Sequence, residues 1–301
     1  MRVVWAYTDW TKEGNFDIKR YPLEEYALVE SALSWMYYAP ECERVFYADQ
    51  TVYDYFKSNN YLNLWDRVEI VDFEKELKDI QGVDFFAYPK IWAMTRQEEP
   101  FWICDTDVAL FRHPEELIQD FTKIHGNIYY LQDQGLFGYY REQFDKKEVG
   151  CEGFEPYKLT RELHKLRQSG VGTFLGSAGI NGGTIFYPDP KVAKIIGYAL
   201  FSGARLLTRE LQGIPESNLR WCLWEELFLH GIMTTIGQKP VQLGNIKENG
   251  GCYHIGVSNV PTLKEVQDRL RDVIDLVKID AFDYYPLLLD KINSGYSNKL
   301  V

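Results

Sequence analysis

The chain has 301 residues, is 46% hydrophobic and 15% aromatic, and carries a formal net charge of −11. That is enough apolar chain for one large domain, or two closely joined ones, around a sizeable core. The acidic balance excludes a nucleic-acid binder, which needs clustered Lys and Arg, and leaves open a smaller polyphosphate held through a cation.

The opening Met1-Arg2-Val3-Val4-Trp5-Ala6-Tyr7-Thr8-Asp9 turns polar too soon for a signal peptide. No run reaches the ~18 apolar residues of a membrane span, so no transmembrane segment and a cytoplasmic location are expected. Short β-rich runs follow at 2–7, 44–48, 67–71, 101–104 and 127–131, alternating with helical patterns. This is the order of βαβ units around a mainly parallel sheet. Between the first two runs, Pro22 opens and Pro40 closes a crossover helix in which Leu23, Tyr26, Ala27, Leu33, Met36 and Tyr37 recur near helical spacing. Functional residues of open sheets gather at the carboxyl ends of strands, which singles out Tyr7, Thr8, Asp9, Asp49, Asp72, Asp105 and Asp107.

The stretch 138–176 is charged, Gly-punctuated and without a clear strand, and reads as an insertion with a helix near 158–167. Beyond it come a strand over 177–187 interrupted by Asn181-Gly182-Gly183, helices over 191–207 and 219–230, and two helices within 262–292. With no repeat or linker, two halves sharing one sheet are expected. The five Cys, at 42, 104, 151, 222 and 252, form no Cys-x-x-Cys pair, so reduced and mostly buried thiols are expected. The 21 Tyr and 8 Trp suit either a packed core or an aromatic-lined groove.

The sharpest motif is Phe101-Trp102-Ile103-Cys104-Asp105-Thr106-Asp107, an apolar strand ending in two carboxylates one residue apart. Hard cations such as Mg2+ or Mn2+ take oxygen ligands of this kind; a turn or a cap before Pro114 is the alternative use of the same residues. Just upstream lies Tyr88-Pro89-Lys90-Ile91-Trp92-Ala93, and just downstream Phe111-Arg112-His113-Pro114-Glu115-Glu116-Leu117. In this stretch the chain resembles glycosyltransferases of the GT-A type, specifically the glycogenin-like, family 8-related nucleotide-diphospho-sugar transferases.

The resemblance implies a GT-A, Rossmann-like α/β fold with a central mainly parallel sheet flanked by helices. It implies that Asp105, Thr106 and Asp107 meet a metal and a nucleotide sugar, that Lys90 on a helix faces the donor, and that a Pro-containing helix follows. Ser177-Ala178-Gly179-Ile180-Asn181-Gly182-Gly183 is similar to the Asn-x-Gly strand these enzymes set against sugar and acceptor. Glycine there admits close approach of a pyranose, and the Asn amide can both donate to and accept from hydroxyls; a bulge or tight turn is the plainer use. Gly250-Gly251-Cys252-Tyr253-His254-Ile255-Gly256 resembles the element that supplies the third metal ligand, His254, and a diphosphate-facing loop at Gly256. The Lys-Pro-Trp that follows this loop in glycogenin is absent here.

Trp221-Cys222-Leu223-Trp224-Glu225-Glu226 carries two adjacent acids, of which one is expected to face the cleft as the base of an inverting transfer, or both to lie on the surface. The glycogenin-like resemblance implies retention instead, so the stereochemistry stays open. By the same resemblance Tyr7 and Thr8 receive the nucleotide base.

The expected protein is thus one GT-A catalytic domain over 1–301, with a nucleotide-sugar half at 1–135 and an acceptor half at 136–301 that includes the C-terminal helices. It moves a sugar from a nucleotide-diphosphate donor, UDP before GDP, to a carbohydrate or glycan hydroxyl with Mn2+ or Mg2+. Two alternatives share such a fold. A sugar-phosphate nucleotidyltransferase needs a Gly-rich phosphate loop after the first strand, where this chain has Tyr-Thr-Asp-Trp; a non-catalytic nucleotide-sugar-binding protein needs no turnover.

Overall fold

A computed structural model describes residues 1–9, 24–76, 87–110, 112–117, 123–125, 128–130, 178–180, 183–210, 228–242 and 252–254; at 24–26, 123–125, 128–130, 178–180, 206–210, 242 and 252–254 the backbone alone is described. The strands are β1 (Arg2–Tyr7), β2 (Glu43–Ala48), β3 (Arg67–Ile70), β4 (Phe101–Cys104), β5 (Val108–Leu110), β6 (Lys123–His125), β7 (Ile128–Tyr130), β8 (Ala178–Ile180), β9 (Thr184–Tyr187), β10 (Val241–Gln242) and β11 (Cys252–His254). The helices are α1 (Glu24–Tyr38), α2 (Gln50–Ser58), α3 (Phe73–Glu76), α4 (Tyr88–Met94), α5 (Pro190–Glu210) and α6 (Leu229–Thr235).

The central sheet has the order β10-β6-β9-β4-β1-β2-β3. Strands β3, β2, β1 and β4 run parallel, and β9 alone runs against its neighbours β4 and β6. Helices flank it, with α1 and α2 packed on β2, α4 on β1 and β4, and α5 on β9. This is the α/β architecture with a mainly parallel sheet that the alternating pattern predicts. Because both faces are covered, Val3-Val4-Trp5, Val45-Phe46-Tyr47-Ala48 and Phe101-Trp102-Ile103-Cys104 are buried without alternation.

Aromatic side chains fill the interior: Trp35 meets Trp5 edge-on at 6.3 Å and Trp102 at 5.8 Å between ring centroids. Among the described residues the largest fully buried side chains are Trp and other aromatic rings in the main, so core packing absorbs much of the aromatic content. Cys42 and Cys104 are free and buried as expected, and burial pushes each thiol up to about 12.

Helix α1 departs from its expected face. Met36 and Tyr37 are exposed, while Glu30, Ser31 and Ser34 are buried with Ala27 and Leu33. After β5 the expected Pro-containing helix is a single 3-10 turn, Pro114–Glu116, in which the Glu115 N–H donates to His113 Nδ1. Of the helix expected over 219–230, residues 219–227 lie outside the described residues, and α6 runs from Leu229 past the expected end to Thr235. The predicted helices at 158–167 and within 262–292 lie outside the described residues.

Candidate functional site

Strands β1, β2, β3 and β4 are parallel, so their carboxyl ends share one edge, and Tyr7, Thr8, Asp49, Asp72 and Asp105 all lie there. Asp49 organises the first part of that edge. Its Oδ1 accepts the Val52 N–H at 2.8 Å and caps α2, while its Oδ2 accepts both the Thr8 hydroxyl and the Asp9 N–H. One carboxylate therefore fixes the turn leaving β1 to the start of α2. Thr8 is buried and Tyr7 half-buried.

Beside it, β4 delivers Asp105, Thr106 and Asp107 in a turn, all three half-buried. The turn is held upstream by the antiparallel pairing of Cys104 with Thr184 and by the Asp105 N–H, which donates to the Gly183 carbonyl at 2.7 Å. The Asn-Gly-Gly segment and the Asp-x-Asp segment, distant in sequence, are thus adjacent through Gly183. Asn181 and Gly182 themselves lie outside the described residues.

Lys90 reaches the same turn from α4, where it is only 7% exposed. Its ammonium donates to Asp105 Oδ1 at 2.6 Å. That burial excludes a solvated helix lysine. Pro89 in the first turn and burial of every residue of α4 hold the helix in place. An ammonium taken out of water is costly unless paired, and here the pair offsets one of the two carboxylate charges of the turn.

Downstream of Asp107, β5 pairs antiparallel with β11, with Cys252 opposite Leu110, Tyr253 opposite Ala109 and His254 opposite Val108. The backbone of His254 therefore stands one residue beyond Asp107, across a strand pair that joins distant parts of the chain. Its side chain is not among those described, and the described residues hold no group of three His, Cys, Asp or Glu side chains around one point. Glu225, Glu226 and Gly256 lie outside the described residues. Among the described residues no helix is long and apolar enough to cross a membrane.

Two features escape sequence reading. Asp49 is singled out by its place at the end of a strand, but nothing in the local sequence shows one oxygen capping α2 while the other ties Thr8 and Asp9. Ser31 and Ser34 sit on a helix that reads as apolar; their only signal is polarity at a spacing of three within it.

No family model matches the chain, and no curated protein does. Solved structures to which the chain bears a distant likeness include the apo bifunctional glycosyltransferase WbbM, at TM-score 0.48 and 11% identity over 94% of this chain and 50% of that one. They also include an active-site mutant of LgtC, at 0.38 and 11% over 80% and 72%, and apo mouse xyloside xylosyltransferase 1, at 0.37 and 13% over 79% and 81%. The chain spans half the length of the WbbM structure. Likenesses this distant transfer no activity, substrate or cofactor to this chain.

Proposed function

We propose that the chain is a GT-A type glycosyltransferase that moves a sugar from a nucleotide-diphosphate donor, UDP in preference to GDP, to a carbohydrate hydroxyl. One observation carries the reading: the three segments singled out in the sequence meet around one turn. Asp105 bonds Gly183 and Lys90, and β5, starting just after Asp107, pairs with the strand that ends in His254.

The donor set fits a hard or borderline divalent cation, Mn2+ or Mg2+: two carboxylates from Asp105 and Asp107, with the imidazole of His254 as the nitrogen ligand Mn2+ accepts. Bound there, the cation supplies positive charge to the diphosphate that leaves with the nucleoside. The protein's own residues do the rest. The end of β1, where Asp49 holds Thr8 and Asp9, is assigned to the base through Tyr7 and Thr8. Lys90 keeps the Asp105 carboxylate oriented and lowers the negative charge that a diphosphate meets on approach. Asn181, Gly182 and Gly183 are assigned to the sugar, which a backbone without Cβ lets approach closely. Glu225 or Glu226 is assigned to the acceptor proton if the transfer inverts.

Calorimetric titration with UDP and with GDP, each with and without Mn2+, tests the reading on the wild type, Asp107→Ala and His254→Ala. UDP binding is expected to tighten with Mn2+ in the wild type and to lose that dependence in both variants. Tight binding indifferent to metal and to both substitutions would sink the proposed function.

A further inference from the structure

Two serines buried in α1 hold the far end of the Asp-x-Asp turn. Ser31 and Ser34 are fully buried on α1, beside the buried Ala27, Leu28, Ala32 and Trp35. Trp5 Nε1–H donates to Ser31 Oγ at 3.0 Å, and the Ser31 hydroxyl donates to the Val108 carbonyl at 2.6 Å. The Leu110 N–H donates to Ser34 Oγ at 2.9 Å, and the Ser34 hydroxyl donates to the Ser31 carbonyl at 2.6 Å. Each hydroxyl therefore donates to a backbone carbonyl and accepts an N–H, and Ser31 Oγ also lies 3.8 Å from Cys104 Sγ.

The strand register explains why these two backbone groups need partners. Ala109 faces Tyr253 across the β5–β11 pair, and alternation along an antiparallel ladder turns the Val108 carbonyl and the Leu110 N–H to the opposite edge. That edge faces a helix, where no strand can satisfy it, and an unpaired buried backbone group is costly. Ser31 and Ser34, three apart and so on one side of α1, replace the missing strand. β5 is thereby fastened on both edges, to α1 by hydroxyls and to β11 by pairing. The clamp at Asp105 N–H to Gly183 fixes the other end of the turn.

We propose that Ser31 and Ser34 are positioning residues for the cation and diphosphate site, setting where β5 emerges from the turn and hence where Asp107 and the His254 strand stand relative to each other. The inference rests on the glycosyl-transfer reading. A purely structural role would lower stability and would touch metal dependence no more than any other core substitution.

The test compares the wild type, Ser31→Ala/Ser34→Ala and Val45→Ala, a fully buried β2 residue outside the core cluster that holds β5, which controls for general destabilisation. Backbone amide exchange at 108–110 and 252–254 is read by mass spectrometry, and UDP affinity is read with and without Mn2+. In the double variant, exchange at both strands is expected to quicken and the Mn2+-dependent UDP affinity to fall roughly 10–100-fold, the range for supports behind metal ligands, while metal-free UDP affinity holds. Val45→Ala is expected to change neither. If the double variant does not fold, Ser31→Ala and Ser34→Ala singly carry the same comparison. Exchange and Mn2+-dependent affinity that match Val45→Ala overturn the proposal. A wild type whose UDP affinity ignores Mn2+ sinks the glycosyl-transfer reading instead, and the exchange arm still decides whether the serines hold the strand pair.

Discussion

Glu30 is the most exposed weakness of the core at the level of single residues, because it is 1% accessible and its Oε1 has no hydrogen-bond partner among the described residues. Burial pushes its carboxyl from 4.5 up to about 8. Between those values the folded chain keeps a proton that the unfolded chain has released, so stability is full below the lower value and falls as pH rises toward about 8. Glu30→Gln keeps the shape without the charge. Its melting temperature is expected to exceed that of the wild type by about 5 °C near pH 8 and to converge with it toward pH 5. Thermal melts across that range check this, and parallel curves would contradict it. The Lys90–Asp105 pair makes the opposite case, a buried charge that is compensated. Lys90→Met is expected to cost about 2–3 kcal/mol in urea unfolding, somewhat less than a fully enclosed pair because the Asp105 side chain is 28% exposed. Adding Asp105→Asn should recover part of the loss, since the coupling between the two disappears with either partner.

At the level of elements, α4 carries Lys90 and is itself held against α5 by a close approach at Gly197. A Cβ there would stand 2.4 Å from Thr95 Cγ2 and 3.3 Å from Met94 Cε. Gly197→Ala is expected to destabilise by about 1–3 kcal/mol through overpacking. Thr95→Ser removes the offending methyl while keeping the hydroxyl that donates to the Trp92 carbonyl, so the double variant should unfold close to the Thr95→Ser single variant. Denaturant midpoints of the four proteins settle whether the contact is the cause. The same elements show what a sequence can and cannot disclose. β1 and β4 are legible to the residue because strands buried on both faces are continuous apolar runs that stop at polar residues. β5, β10 and β11 have two or three residues each and no period to read; they exist through partners far along the chain, as Val108–Leu110 does through Cys252–His254. Met36 and Tyr37 mislead because spacing marks a stripe without saying which side of a crossover helix meets the sheet. For the site, Asp105 and Asp107 are legible as carboxylates at a strand mouth, whereas the burial of Lys90 and the backbone bonds of Ser31 and Ser34 depend on packing that local sequence does not encode.

Across the whole molecule, the two edges of the parallel sheet are tied by charges of different consequence. At the amino-terminal edge, Arg2 of β1 donates to Glu43 of β2 at 2.7 Å and to Gln97 at 3.2 Å, with Arg67 of β3 on the other Glu43 oxygen. At the carboxyl edge, Asp49 ties β1 to α2 beside the Asp105 turn. If ligands enter only at the carboxyl edge, then equal chemistry at the two edges must have unequal effects. Glu43→Gln is expected to cost at most about 1 kcal/mol, the Glu43 side chain being 38% exposed, and to leave UDP affinity in Mn2+ unchanged. Asp49→Asn keeps a good cap on α2, since Asn caps as well as Asp, but its single carbonyl oxygen cannot serve Val52 and the Thr8–Asp9 turn together. Stability is expected to change by about 1 kcal/mol or less for want of one hydrogen bond, while UDP affinity falls several-fold. Paired calorimetry and urea unfolding on the two variants separate the effects: a loss of affinity in Glu43→Gln as large as in Asp49→Asn would show that binding follows overall stability rather than the carboxyl edge.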